Sequence, residues 1–296
     1  VADRIAILGA GAVGGMLAVL LAEADHDVTL LASDSTGTAI NIDGLALRST
    51  RYGDLHARIP ARPWLTVPAD VLFVAVKAPD LLPALTRVPA TLLHGAAVVP
   101  LLNGVDHVPL LRAMFPHTAV VPMTVSVEAT RVEPGVIEHV SPFADYAISA
   151  GHREVVVDPA TLLRGAGLDV DSSAPDEATL LWRKLTFLAP FALLTTAARD
   201  ALGPAREARP ELLDALVEES VAAAAADEAT VDPTAVAERL RSLPTAMRSS
   251  MLKDALAGAT LELDAVAGPI LRTTPGGAPF TRGVVAEIIR SSRPSR

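Results

Sequence analysis

The chain of 296 residues contains no cysteine, which excludes disulfides, thiolate metal sites and a cysteine nucleophile. Glutamine is also absent, asparagine occurs only at Asn41 and Asn103, and aromatic residues make up 3% of the total. Lys77, Lys184 and Lys253 are the only lysines among 25 basic residues, so arginine supplies the rest. No histidine follows His152 and no tyrosine follows Tyr146. Proton chemistry in the C-terminal half therefore falls to lysine, carboxylates or hydroxyls. The net charge is −9 and no basic run stands out, which argues against nucleic acid and membrane surfaces as partners. No metal site is expected. Apolar residues make up 50% and charged ones 20%, enough for a sizeable core and inconsistent with wholesale disorder. At about 150 residues per domain, the length suits one large domain or two medium ones.

Ile5 to Ala22 is an uncharged run at the lower edge of a membrane span, about 18 residues. It contains Gly9, Gly11, Gly14 and Gly15, poor material for a continuous hydrophobic helix, so a soluble cytoplasmic protein is expected. Arg4–Leu8 reads as a buried strand, 12–24 as a helix and Asp27–Leu31 as a second strand. Strand signals return at Val71–Val76, Ala97–Leu101 and Ala119–Val121, separated by helical stretches around 79–87 and 105–114. Such alternation implies a parallel sheet covered on both faces. Residues 34–67 read as small strands and loops, and 123–149 as further strands turning at Glu133-Pro-Gly135, an antiparallel edge. Beyond 172 the pattern changes. Ser173, Pro175, Asp176 and Glu177 read as the cap and acidic first turn of a helix through Trp182–Leu185. Ala-rich segments at 210–228, 233–242, 250–268 and 279–290 predict further helices. The expected organisation is a doubly wound α/β domain over 1–172 and an all-α domain over 173–296, the latter compatible with a homodimer.

Gly9-Ala10-Gly11-Ala12-Val13-Gly14 fits G-x-G-x-x-G between a predicted strand and helix. The first glycine permits the tight turn, the second lets a pyrophosphate approach, and the third lets the helix pack closely. At the end of the second strand an acidic residue would bind a ribose hydroxyl and an arginine a 2′-phosphate. The sequence there is Leu31-Ala-Ser33-Asp34, in which Ser33 can bond a phosphate and Asp34 a ribose, so NADPH and NADH both stay open. Lys77 and Asn103 each follow a strand, at the edge where open α/β sheets bind ligands.

Lys184 shares a helical stripe with Leu180 and Leu188, beside Leu181 and Phe187. An ammonium on such a stripe is partly desolvated, which lowers its pKa and eases proton donation near neutrality. The alternative is a lysine snorkelling from an apolar face. Arg183 points about 100° away around the helix and should be solvated. Lys253, beside Asp254, is expected at the surface.

Gly9–Gly15, Val76-Lys77-Ala78, Leu102-Asn-Gly-Val105, Leu181-Trp-Arg-Lys-Leu185, Ser249-Ser-Met251 and Glu262-Leu-Asp264 with Gly268 occur in the order seen in ketopantoate reductases, which the chain resembles over nearly its whole length. The resemblance implies an N-terminal Rossmann domain, a helical C-terminal domain and NADPH-dependent reduction of a 2-oxo acid in pantothenate biosynthesis. By position it implies Lys184 as general acid, Glu262 as the acidic residue near the nicotinamide, and Ser250 as a substrate-binding hydroxyl. Lys77 and Asn103 would line the cofactor and substrate sites, and Ala129 would give a backbone contact to the cofactor. On its own Glu262 reads equally as a solvated helix carboxylate, and Ser250 as a helix cap. Asparagines usual in the family are replaced by Leu188, Ala192, Leu202 and Ala267, which makes the expected pocket more apolar. The expected partner is a small 2-oxo acid or ketone. The alternatives are a family reductase of a more apolar ketone or imine, and a non-catalytic NADP-sensing protein.

Overall fold

The computed structural model describes residues 3–150 and 155–292. The chain divides into two compact units, one formed by Val1–Leu102 with His107–Glu177, the other by Asn103–Asp106 with Ala178–Arg296.

The first unit opens with β1 (Arg4–Leu8), α1 (Ala12–Glu23), β2 (Asp27–Leu31) and α2 (Asp34–Asp43). There follow β3 (Leu45–Ser49), β4 (Gly53–Ala57), β5 (Ala61–Arg62), β6 (Val71–Val74), α3 (Leu81–Leu85) and β7 (Ala97–Pro100). It closes with α4 (His107–Met114), β8 (Ala119–Val120), β9 (Met123–Glu133), β10 (Val136–Ser149), α5 (Pro159–Gly165) and β11 (Asp169–Ala174). Six strands form an all-parallel sheet in the order β5-β2-β1-β6-β7-β8. β6 and β7 are buried at every residue, as continuous apolar runs are in parallel sheets covered on both faces. From β1 the chain builds outward to β2 and β5, then returns to β6 on the other flank of β1. The order reverses there, and the glycine turn sits at that reversal. This is the expected Rossmann-type architecture.

The remaining strands form a second sheet, β11-β10-β3-β4, with β9 on β10. The hairpin expected around Glu133-Pro-Gly135 is present, Gly135 having φ +86°, but β9 and β10 belong to this second sheet and are not an edge of the first. α1 contacts β2 of the first sheet and β3, β9 and β10 of the second. Gly14 through Leu21 are consequently all buried. The uncharged run beginning at Ile5 is thus a core strand and core helix separated by the glycine turn. α2 occupies part of the stretch expected as strands and loops, because its polar sequence buries only Thr36, Gly37 and Ile40. Ser173 is a second difference. It lies in β11 with its hydroxyl on Asp171, and the next helix begins at Glu177.

The second unit contains α6 (Glu177–Ala198), α7 (Leu202–Ala208), α8 (Pro210–Ala226), α9 (Pro233–Ser242), α10 (Ser250–Leu256), α11 (Leu263–Thr273) and α12 (Pro279–Ser291). α6 supplies Trp182, Leu185, Ala189 and Leu193 to its core. Pro190 sits inside α6 and removes the donor that would serve the Thr186 carbonyl. The Ser220 hydroxyl of α8 donates to that carbonyl instead, at 3.4 Å. The single helix expected over 250–268 is two, α10 and α11. Gly258, at φ +67°, follows α10, and Glu262 stands at the residue before α11 without a side-chain capping bond. No single helix among the described residues is long and apolar enough to cross a membrane.

Candidate functional site

In the α/β unit the glycine turn has the geometry its sequence predicts. Gly9 takes φ +115° and donates its N–H to the Leu31 carbonyl at 3.0 Å. A Cβ at Gly14 would lie 2.0 Å from the Gly9 carbonyl oxygen, so only glycine lets α1 start this close to the strand. Gly11 differs. Its backbone is ordinary, and a Cβ there would meet nothing within 4 Å. The space before Gly11 is open, and no side chain caps α1, whose amides at Ala12 and Val13 begin the helix. An open cradle at a helix N-terminus fits the pyrophosphate of a dinucleotide. Ala10 is held from β9, where Arg131 donates to its carbonyl at 3.3 Å. That guanidinium beside the turn is a feature sequence reasoning missed, since β9 gave no sign of approaching it. Ala129, two residues earlier, is partly buried and pairs with His139.

Ser33 is exposed at the end of β2, where it starts α2 and bonds Thr36 at 3.2 Å. Lys77 is exposed at the carboxyl end of β6, heading a short turn in which Asp80 N–H donates to its carbonyl at 2.9 Å. The parallel sheet therefore brings the glycine turn, Ser33 and Lys77 to one edge.

In the helical unit Asn103, Lys184 and Glu262 come together. Lys184 keeps some accessible surface, yet burial lowers its ammonium from 10.5 to about 8, opposed by the nearby negative charge of Glu262. Glu262 stands in the break between α10 and α11, and its Oε2 accepts from Asn103 Nδ2 at 3.2 Å. Asn103 is delivered by the loop 103–106, which packs on α11. Gly104 takes φ +88°, and a Cβ there would lie 2.4 Å from the Ala265 carbonyl oxygen. Asp106 pairs with Arg272, which also reaches Asp264 at 3.1 Å. Gly268 leaves room for this clamp, since a Cβ would come within 2.5 Å of Asp264 and 2.7 Å of Arg272. The clamp joins residues distant in sequence and carries no local signature.

Ser250 is exposed in the first turn of α10 and is not its cap. The buried Ser249 is, accepting from Leu252 N–H at 3.1 Å and bonding Thr195 at 2.8 Å. Arg183 and Lys253 are exposed, as expected. Of the positions where asparagine is usual in the resembled family, Ala192, Leu202 and Ala267 are 2%, 0% and 1% exposed, so their apolar character serves the core of the unit. Only Leu188, one turn beyond Lys184, keeps accessible surface. Among the described residues no group of three or more His, Cys, Asp or Glu could hold a metal ion.

A desolvated ammonium held charged by a carboxylate can give a proton to a developing oxyanion. Residues 5–152 match the family described as ketopantoate reductase PanE/ApbA, and residues 178–276 match its C-terminal counterpart. The chain is 34% identical to a 2-dehydropantoate 2-reductase of Mycobacterium tuberculosis over 279 residues, covering 92% of this chain and 90% of that protein. A PanE/ApbA family ketopantoate reductase from Ralstonia eutropha superposes with TM-score 0.86 at 25% identity, over 98% of both chains. The fold is likewise that of a 2-dehydropantoate 2-reductase from Methylococcus capsulatus, with TM-score 0.84, 23% identity and 98% of both chains covered. Matched along both its α/β and its helical part, the chain belongs to the ketopantoate reductase family.

Proposed function

We propose that this chain is a cytoplasmic reductase of a 2-oxo acid, with 2-dehydropantoate as substrate, pantoate as product and NADPH as reductant. Nucleotide binding belongs to the α/β unit and proton transfer to the helical unit. The observation that carries the reading is the grouping of Lys184, Glu262 and Asn103 in the helical unit, where burial lowers the ammonium and the Glu262 charge opposes that shift. When bound, NADPH would supply a hydride to the carbonyl carbon. Lys184 stabilises the oxygen as its charge grows and gives it one proton, yielding the 2-hydroxy acid. The neutral amine then regains its proton from solvent. Glu262 holds Lys184 in the donor form, and Asn103 orients Glu262. Gly11 and the amides opening α1 bind the pyrophosphate, while Lys77 and Ser250 contact the ligands as exposed polar groups. Placement supplies much of the acceleration, because reactants held in line react as though highly concentrated.

Reduction of 2-dehydropantoate, followed by loss of nicotinamide absorbance with NADPH and NADH in parallel, tests the reading. Lys184→Ala should abolish turnover while leaving nucleotide affinity intact. Unchanged turnover would remove Lys184 from the mechanism. Leu188, accessible one turn from Lys184, favours a second reading in which a more apolar ketone or imine is the substrate. A substrate panel separates the two. Tight NADPH binding with no ketone reduced would instead mark a nucleotide sensor.

A further inference from the structure

The end of β2 lacks the arginine that would recognise a 2′-phosphate, but the neighbouring strand carries one. β5 pairs with β2 in parallel, with Leu30 opposite Ala61 and Leu31 opposite Arg62. The pairing is tightened by Ala32 N–H donating to the Arg62 carbonyl at 3.0 Å. Both strands thus end together at the ligand-binding edge, about 4.8 Å apart, within reach of a long arginine side chain. Arg62 is exposed, and among the described residues its guanidinium makes no hydrogen bond or ion pair. Among the described residues of the same unit, Arg4, Arg48, Arg51 and Arg112 pair with carboxylates, whereas Arg58 and Arg87, like Arg62, do not. Beside it, α2 begins with exposed Ser33 and Ser35 and with amides that no side chain caps.

Resting on the dinucleotide reading above, we propose that Arg62 is the specificity residue for the cofactor. It pairs with the 2′-phosphate of NADPH beside the Ser33 hydroxyl and the N-terminus of α2. The guanidinium replaces across the sheet what other chains place along the strand, and its fork suits phosphate oxygens. Asp34 is the opposing group. Exposed in the first turn of α2, its carboxylate repels a phosphate and suits an unmodified ribose, so Arg62 must offset it for NADPH to be preferred.

Calorimetric titration of the full chain with NADPH, NADH and adenosine 2′,5′-bisphosphate decides the matter without any turnover. Wild type should bind NADPH more tightly than NADH. Arg62→Ala should weaken NADPH and the bisphosphate by about tenfold to a hundredfold, the effect of losing a charge-assisted bond, and leave NADH unchanged. Arg62→Lys should restore part of the loss. An Arg62→Ala protein that binds NADPH like wild type, or weakens NADPH and NADH equally, overturns the assignment while the dinucleotide reading stands. Failure of the wild type to bind any of the three overturns both.

Discussion

Replacing Lys184 by methionine should make the protein inactive and, at neutral pH, more stable. Lowering an ammonium from 10.5 to about 8 means that the folded chain holds the charged form at a cost. At about 1.4 kcal/mol per pKa unit, that cost is on the order of 3 kcal/mol. Methionine keeps an unbranched, flexible stem and removes the charge. Glu262 then loses its cation while keeping Asn103, so the expected net gain at pH 7 is about 1–2 kcal/mol. The folded-state value lies below the unfolded one. Between pH 8 and 10.5 the unfolded chain therefore binds more protons, and wild-type stability climbs through that window. The advantage of the variant should shrink over the same range. Urea unfolding at pH 7 and pH 10, followed by the fluorescence of the fully buried Trp182, reads both effects. A variant less stable than wild type at pH 7, or a gap that ignores pH, would show that the ammonium is well solvated. In wild type the rate of carbonyl reduction should be level at low pH and decline as pH rises through about 8, where the donor loses its proton.

Gly11→Ala should fold normally, within about 1 kcal/mol of wild type, since the added methyl meets no atom of the chain within 4 Å, yet lose nucleotide affinity if the proposed phosphate site is right. Gly14→Ala should lose affinity together with about 1–3 kcal/mol of stability, because its methyl strikes the Gly9 carbonyl. Thermal melts paired with NADPH titration separate these two, and an unaffected Gly11→Ala protein would place the phosphates elsewhere. Gly104→Ala should lower kcat with nucleotide affinity intact, as the loop bearing Asn103 is pushed off Ala265; steady-state kinetics with unchanged kcat would deny that loop its part. Glu219 accepts the N–H groups of Phe280 and Thr281 at 2.8 Å each, and Glu219→Ala should cost about 2–3 kcal/mol in urea unfolding without touching NADPH binding.

The parallel sheet and the glycine turn were legible because both are local. Five apolar residues ending in glycine can be recognised without knowing what lies across the sheet. Lys184 was legible for the same reason, since its apolar stripe is read along one helix. α2 escaped notice because its helical state rests on three buried residues and not on a full apolar face. The second sheet was hidden because β10 runs parallel to β3, a pairing of residues about ninety positions apart. The resemblance points to Glu262, but the break between Leu256 and Leu263 that frees it from a continuous helix has only Gly258, at φ +67°, as a local sign among many helix formers. Arg62 lies opposite Leu31 at the end of β2 and Arg131 reaches the glycine turn at Ala10, neighbours that no window along the chain can display.

The excursion of residues 103–106 limits how this molecule can be taken apart. A scission after Glu177 yields an N-terminal piece that carries Gly104 and Val105 away from the helices they pack on. The complementary fragment keeps Lys184 and Glu262 but surrenders Asn103 and the acidic end of the Arg272 clamp at Asp106. Helical halves exchanged between relatives at that junction would inherit a foreign loop against their own α11. The four residues make the grouping of Asn103, Lys184 and Glu262 a joint property of two separate stretches of the chain.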